Sequence, residues 1–339
     1  MTTLTSPHDL LAAIPFLIGY HPEDSLVVVS IKDNAVGMAM RIDYPVDLPE
    51  GAYDLLASHL HREQSTGGLL VAYVPRDRND GEAVLKQASG ALSRVGITTD
   101  ESLIIQNGRY RSILCSDQSC CAAEGNLIPE LNGSRIAVEH VVAGRAMPFT
   151  NLQALTDSIA ALAVASEDHW IEQVKSFEVG KDVTDLTRVQ RDGATAVIDL
   201  AGEFASGRIG QDLELTARVI GRLSDIQVRD FALGTHDENT IDTYFQMWRH
   251  LMRIAPIGFV APIASLCAAL AYESGDGALA HRALDRALED VNGYSLALLL
   301  RRVFTAGWPP ASFAAMRREL HPKVCAGIFG LDLPPGHEF

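Results

Sequence analysis

The chain has few positive charges, few cysteines and no catalytic signature, and each shortage narrows the chemistry open to it. Lysine and arginine number 28 against 43 aspartates and glutamates, for a formal net charge of −15. The deficit is spread evenly, with 11 basic and 18 acidic residues in 1–150 and 17 and 25 in 151–339. Without a basic stripe the chain lacks the electrostatic footprint that phosphate contacts need, so neither nucleic acid nor an anionic membrane is an expected partner. The five cysteines, Cys115, Cys120, Cys121, Cys267 and Cys325, are an odd count that suits reduced thiols in a cytoplasmic protein rather than a disulfide framework. Long apolar runs are missing too. Segment 1–24 has no cationic n-region, and Pro15 and Pro22 interrupt its apolar stretch, so neither a signal peptide nor a membrane span is expected.

Reaction motifs are equally scarce. There is no GxSxG elbow, no HExxH and no GxGxxG following a strand. Gly202 to Gly207 has the glycine spacing of a phosphate-binding loop, but Arg208-Ile209 stands where Lys-Ser/Thr is required. No cofactor is called for. His59 and His61 lie two apart on a predicted helix and cannot share a face, and His236-Asp237-Glu238 falls in a polar connector; these histidines are expected to be solvated.

What the chain does contain is organised around the stretch Ile14 to Ile31. Leu26, Val27, Val28 and Val29 show no polar alternation, which predicts a strand covered on both faces by helices. Before it, Ser6-Pro7 is a good helix start, with Pro15 as the expected stop. After it, Val36, Met38, Met40 and Ile42 alternate with smaller or polar residues as in a half-buried antiparallel partner. A helix around Tyr53 to Arg62, a buried strand Leu69 to Val74, a helix carrying Val84, Ala88, Leu92 and Val95, and a strand Leu103 to Ile105 follow. Asn107-Gly108 then tolerates the positive φ of a two-residue hairpin and returns Arg109 to Leu114 antiparallel. The expected fold of residues 1–148 is α/β, a mixed sheet of about five strands in the order β-β-α-β-α-β-β.

Residues 149–339 carry no strand signal and are expected to form an all-helical domain. Leu186, Val189, Val197, Leu200 and Phe204 mark one amphipathic helix, and Ile241, Tyr244, Phe245, Trp248, Leu251 and Met252 mark another. Small residues at Ala264, Ala268 and Ala271, a Gly275-Asp276 turn, then Ala280, Leu284 and Ala287 resemble a tetratricopeptide-type hairpin. No neighbouring copy occurs at a period of about 34 residues, which favours one hairpin in a bundle over a solenoid. Ser295 to Ala306 and Ala311 to Leu320 continue the helix pairing.

Three clusters are candidate sites. Cys115, Cys120 and Cys121 form a thiol cluster with His140 as a distant fourth ligand; adjacent cysteines splay, so unligated thiols, a metal site and a redox pair all stay open. Arg109 and Arg111 share a strand face and would make an anion site if Arg135 or Arg145 folded back, the alternative being an exposed hairpin face. The turn leading into the first strand, Gly19 to Ser25, places His21, Asp24 and Ser25 together as base, acid and hydroxyl, although turn chemistry explains the same residues.

The residues also match a known family pattern in three segments. The first is Pro15, Leu17, Gly19, Tyr20, Pro22, Asp24, Ser25, Leu26 and Val27. The second is Gly108, Arg109, Tyr110, Ser112, Cys115, Asp117, Cys120, Cys121 and Gly125. The third is Gly275-Asp276-Gly277, Leu279-Ala280, Ala283-Leu284, Arg286-Ala287-Leu288 and Tyr294-Ser295-Leu296-Ala297. Over nearly its whole length the chain resembles the actinobacterial domain-of-unknown-function family 4192. It departs from that pattern with Tyr110 where tryptophan is usual and Ala122 where proline usually follows the paired cysteines. The resemblance implies an actinobacterial cytosolic protein and no particular activity.

The functional expectation is a non-catalytic protein-interaction or regulatory module whose partner is another protein, with an oligomer compatible. The alternatives are a small-molecule sensor or enzyme using a cleft at the carboxyl ends of Leu69 to Val74 and Leu103 to Ile105, or a thiol or zinc protein using the Cys115 to Cys121 loop.

Overall fold

A computed structural model describes residues 6–33, 35–45, 51–117, 121–128, 130, 133–143, 146–164 and 166–330. The chain divides into two units, Met1–Leu155 and Thr156–Phe339.

In the first unit the Ser6 hydroxyl accepts the Asp9 N–H and starts helix α1 (Pro7–Ile18), as the cap and proline require. Pro15 does not stop it. The helix runs on to Ile18 because Leu10, Leu11, Ile14 and Ile18 are all buried, and packing of that face outweighs the one backbone bond that proline removes. The stop is Gly19, whose φ of +86° lets its N–H reach back to the Pro15 carbonyl. Next come β1 (Ser25–Lys32), β2 (Ala35–Asp43), α2 (Ala52–Arg62), β3 (Gly67–Tyr73), α3 (Gly81–Arg94), β4 (Thr98–Gln106), β5 (Arg109–Ser112), β6 (Asn126–Leu127) and α4 (Arg135–Val142).

The strands among the described residues form a six-stranded sheet in the order β2-β1-β3-β4-β5-β6. β1 is antiparallel to both β2 and β3, whereas β3 and β4 are parallel, so β2, β3 and β4 all point the same way and the sheet is mixed. The two crossovers, α2 and α3, share one face. Their core joins Ala57, Leu60, Leu85 and Leu92 to Leu26, Val28, Leu70, Ala72 and Ile104 of the strands. The intervening strand residues Val27, Val71 and Leu103 are also fully buried, on the side where His8 of α1 meets Tyr110. Helices therefore cover both faces of β1, as its unbroken apolar run demands. Asn107 and Gly108 have φ of +50° and +74° and close the β4–β5 hairpin with Gln106 opposite Arg109, matching the turn chemistry. The sixth strand, only two residues long, carries no sequence signal of its own.

In the second unit, α5 (Leu152–Asp157) lies at the boundary, and α6 (Glu167–Ser176), α7 (Leu186–Ala205), α8 (Leu213–Arg222), α9 (Ile226–Gly234), α10 (Ile241–Ile254), α11 (Val260–Glu273), α12 (Gly277–Asp290), α13 (Ser295–Thr305) and α14 (Pro310–Phe329) follow. Helix α11 is the hub. Every residue from Val260 to Ala271 is buried, and the helix packs against α9, α10, α12, α13 and α14. An unbroken run without charge can be buried all round, and its alanines let α12 approach closely through Ala280, Ala283 and Ala287. Gly275 (φ +85°) and the Asp276 side chain, which accepts the Leu279 N–H at 2.9 Å, make the tight turn of this hairpin. Asp290 closes its other end by accepting the N–H groups of Gly258 at 2.6 Å and Ala261 at 2.9 Å. Helix α14 extends past Leu320, through Pro322, to Phe329, because Ile328 is buried against Ala194 and Phe231.

Candidate functional site

At the carboxyl edge of the parallel strands, residues 75–80 span the ground where a ligand cleft was expected. The Gln106 amide donates to the carbonyls of Pro75 at 3.0 Å and Arg78 at 2.6 Å, and the Val74 N–H donates to Ile105 at 2.8 Å. Tyr44 donates to the Asp80 carboxylate at 2.9 Å, and the Arg78 guanidinium forks onto the same carboxylate. The Arg78 bond holds the Asp80 carboxyl below its usual range, while burial and the adjacent Asp80 push the Tyr44 phenol up. Gly81 packs closely on the same edge: a Cβ there would lie 2.6 Å from Val74. These groups fasten the β3–α3 loop.

The turn into β1 is built by backbone. Phe149 donates to the Gly19 carbonyl at 2.9 Å and accepts from the His21 N–H at 3.0 Å, and Asp24, with φ of +39°, offers its carbonyl to Tyr44 at 2.9 Å. Ser25 is fully buried between Asp43 and Tyr73 on the neighbouring strands, and its hydroxyl has no partner. Burial holds His21 below its ordinary value. No side-chain hydrogen bond joins His21, Asp24 and Ser25, so the base, acid and hydroxyl of the sequence do not form a catalytic relay among the described residues.

The expected arginine cluster is also separated. Arg109 donates to the Gly125 carbonyl at 2.7 Å, and Arg111 faces Glu82 of α3 at 3.8 Å. Arg135 pairs with Glu139 and with Asp9 of α1, on the opposite side of the sheet. Arg145 lies outside the described residues. Strand alternation is the reason: Arg109 and Arg111 point away from the face that Tyr110 shares with α1.

Cys115 is a half-buried free thiol, Cys121 is half-buried as well, and Cys120 lies outside the described residues. Their loop hangs from Ser112, whose hydroxyl donates to Glu101 at 2.6 Å and accepts from the N–H groups of Leu114 and Cys115 at 3.2 and 3.3 Å. The Cys121 N–H reaches the Asp117 carbonyl at 2.8 Å. His140 instead packs its ring on Phe16 at 4.2 Å. Among the described residues no three His, Cys, Asp or Glu side chains are placed to hold a metal. Replacing Ser112 with alanine removes two anchors of this loop and is expected to speed alkylation of Cys115 several-fold without changing that of fully buried Cys267, as timed alkylation and peptide mapping would report.

Two histidines depart from the expected solvation. His59 and His236 are buried, and burial holds both below the usual imidazole value, whereas His61 is exposed. His236 belongs to a polar cluster inside the second unit. Arg317 of α14 bonds both oxygens of Glu273 at 2.7 and 3.2 Å and donates to the carbonyls of Gly234 and His236 at 2.9 and 3.1 Å. His236 Nε2 lies 3.2 Å from Glu273, and four residues beyond Arg317, His321 Nε2 lies 3.3 Å from Cys325 Sγ. Nothing in sequence marked this cluster, because Arg317 sits in an Ala-rich, charge-rich stretch that reads as a wet helix face.

On the surface, α13 buries Leu296, Ala297, Leu300 and Phe304 and leaves Leu298 and Leu299 exposed beside Arg302, with Leu299 57% exposed. A groove of about 320 Å³ runs between residues 179–186 and the α8–α9 turn, lined mainly by Val179, Val183, Leu186 and Ile226. No helix among the described residues is long and apolar enough to cross a membrane.

A mixed sheet covered by helices, followed by a helical unit built on one buried hub, defines an α/β protein with a helical extension. The chain belongs to the family described as domain of unknown function DUF4192, whose model matches residues 7–311. No curated protein and no solved structure matches it.

Proposed function

We propose that this DUF4192 chain is a non-catalytic protein-interaction or regulatory module of the cytoplasm, and that its helical unit engages another protein. The observation that carries this reading is the exposed Leu298–Leu299 pair on α13, directly after the closely packed, tetratricopeptide-like hairpin α11–α12. The two arginines proposed from the sequence for an anion site favour it as well, since Arg109 donates to the Gly125 carbonyl and Arg111 faces Glu82. The free thiols of Cys115, Cys267 and Cys325 accord with a reducing compartment.

Affinity capture from lysate of the native host, run in parallel with wild type and Leu299→Asp, tests the reading. Leu299 is exposed, so the variant folds, and a specific protein is expected to be retained by wild type and lost by the variant. Recovery of no protein above background, or equal recovery by both, contradicts it. Native mass spectrometry of untagged protein tests the alternatives: a retained metabolite would favour the sensor or enzyme reading, and stoichiometric zinc the thiol-loop reading.

A further inference from the structure

The buried cluster around Arg317 has a property beyond holding helices together. His236 and His321 each have one ring nitrogen engaged, Nε2 on Glu273 at 3.2 Å and Nε2 on Cys325 at 3.3 Å. In both rings the other nitrogen, Nδ1, is buried without a hydrogen-bond partner. The His236 side chain is completely enclosed, and His321 Nδ1 presses so closely on Gly234 that a Cβ there would lie 2.1 Å away. A neutral imidazole tolerates this arrangement with a bare Nδ1. An imidazolium does not, because its second N–H would be buried without an acceptor.

Charge balance points the same way. Glu273 of α11 is already forked by Arg317, and both rings sit within the field of that guanidinium. Asp237 and Glu273 favour a charged His236, Arg317 opposes it, and burial is the largest influence and lowers it. For His321, burial, Arg317 and His236 all oppose charge. The other charges on neighbouring elements are paired elsewhere: Asp230 of α9 with Arg229, Glu238 of the connector with Arg318, while Arg191 of α7 donates to the Ile328 carbonyl. Tyr244 of α10 faces His236 ring to ring at 6.3 Å.

We propose that His236 and His321 form an acid-sensitive latch: as neutral rings they let Arg317 clasp α14 to α9 and α11, and protonation releases α14 from the second unit. The sign follows from linkage. Both folded-state values lie below the ordinary 6.5, so the stabilisation is complete above about pH 6.5 and is lost as pH falls below it. Release would uncover the α9 and α11 surface that α14 covers, and so couple acidity to what the helical unit can bind.

Hydrogen–deuterium exchange of the full chain at pH 7.5 and 5.5, corrected for intrinsic rates, tests the latch. Protection of α14 amides is expected to fall by up to about tenfold for each histidine, at most roughly a hundredfold in all. Helix α8, which contains no histidine, should keep its protection. His321→Gln, whose amide does not titrate, should remove its share of the loss, up to about tenfold. Equal loss in α8 and α14, or no loss in α14, would overturn the proposal. So would a folded His321→Gln variant with the full wild-type response; if that variant does not fold, the wild-type comparison of α14 with α8 decides.

Discussion

Replacing Arg317 with methionine is expected to destabilise the second unit by about 3–5 kcal/mol, the cost of leaving a buried carboxylate without its partner. Arg317 and Glu273 are each about 5% exposed or less, so solvent cannot take over the role. The substitution also strands the carbonyls of Gly234 and His236, which accept from the same guanidinium. In a unit of this size the loss should appear as a fall in Tm on the order of 10 °C in calorimetry. Its pH dependence identifies the cause. Although burial opposes ionisation of Glu273, its bonds to His236 and Arg317 hold the carboxyl below its ordinary value of 4.5. The wild-type contribution is therefore present above about pH 4.5 and is lost as pH falls through the depressed folded value. The gap between wild type and variant should narrow on acidification. A gap that stays constant with pH would assign the effect to lost packing of the arginine stem instead.

Trp248→Ala is expected to cost about 3–5 kcal/mol, the range for emptying a large aromatic site in a close-packed core. Trp248 is fully buried on α10, beside Tyr244 at 6.5 Å between centroids, and α10 packs against both α7 and the hub helix α11. Trp248→Phe separates two contributions. The indole Nε1 is buried with no acceptor, and removing such a donor recovers about 1–3 kcal/mol of desolvation cost against the volume lost. The phenylalanine variant should accordingly lie much nearer wild type than the alanine variant in urea titrations, with an unchanged m value. Similar midpoints for the two variants would show that shape at this site outweighs the unsatisfied donor.

Much of the architecture could be read along the chain because it is written in local rules. The strand at Leu26 to Val29 is uniformly apolar and so had to be covered on both faces. Asn107-Gly108 selects its hairpin through φ preference alone, and the alanines of 264–287 permit two helices to approach. Prolines misled for the same reason that the other signals worked. Pro15 and Pro22 punctuate the sequence alike, yet α1 continues through Pro15 to bury Ile18, just as α14 continues through Pro322 to bury Ile328. One lost backbone bond is a smaller quantity than an apolar face removed from water.

The candidate sites show where a linear reading ends. Local pattern determined the order of elements, the turn at Asn107-Gly108, the caps at Ser6 and Asp276, and the character of the two units. Only tertiary structure decided what the polar side chains do. Arg109 and Arg135 are both arginines in polar stretches, but strand alternation sends the first to Gly125 while helix packing sends the second to Asp9. Glu273, His236 and Arg317 are 37 and 44 residues apart where they bond. Each alone reads as a solvated surface group; burial together, where water cannot compete for their hydrogen bonds, makes each depend on the others.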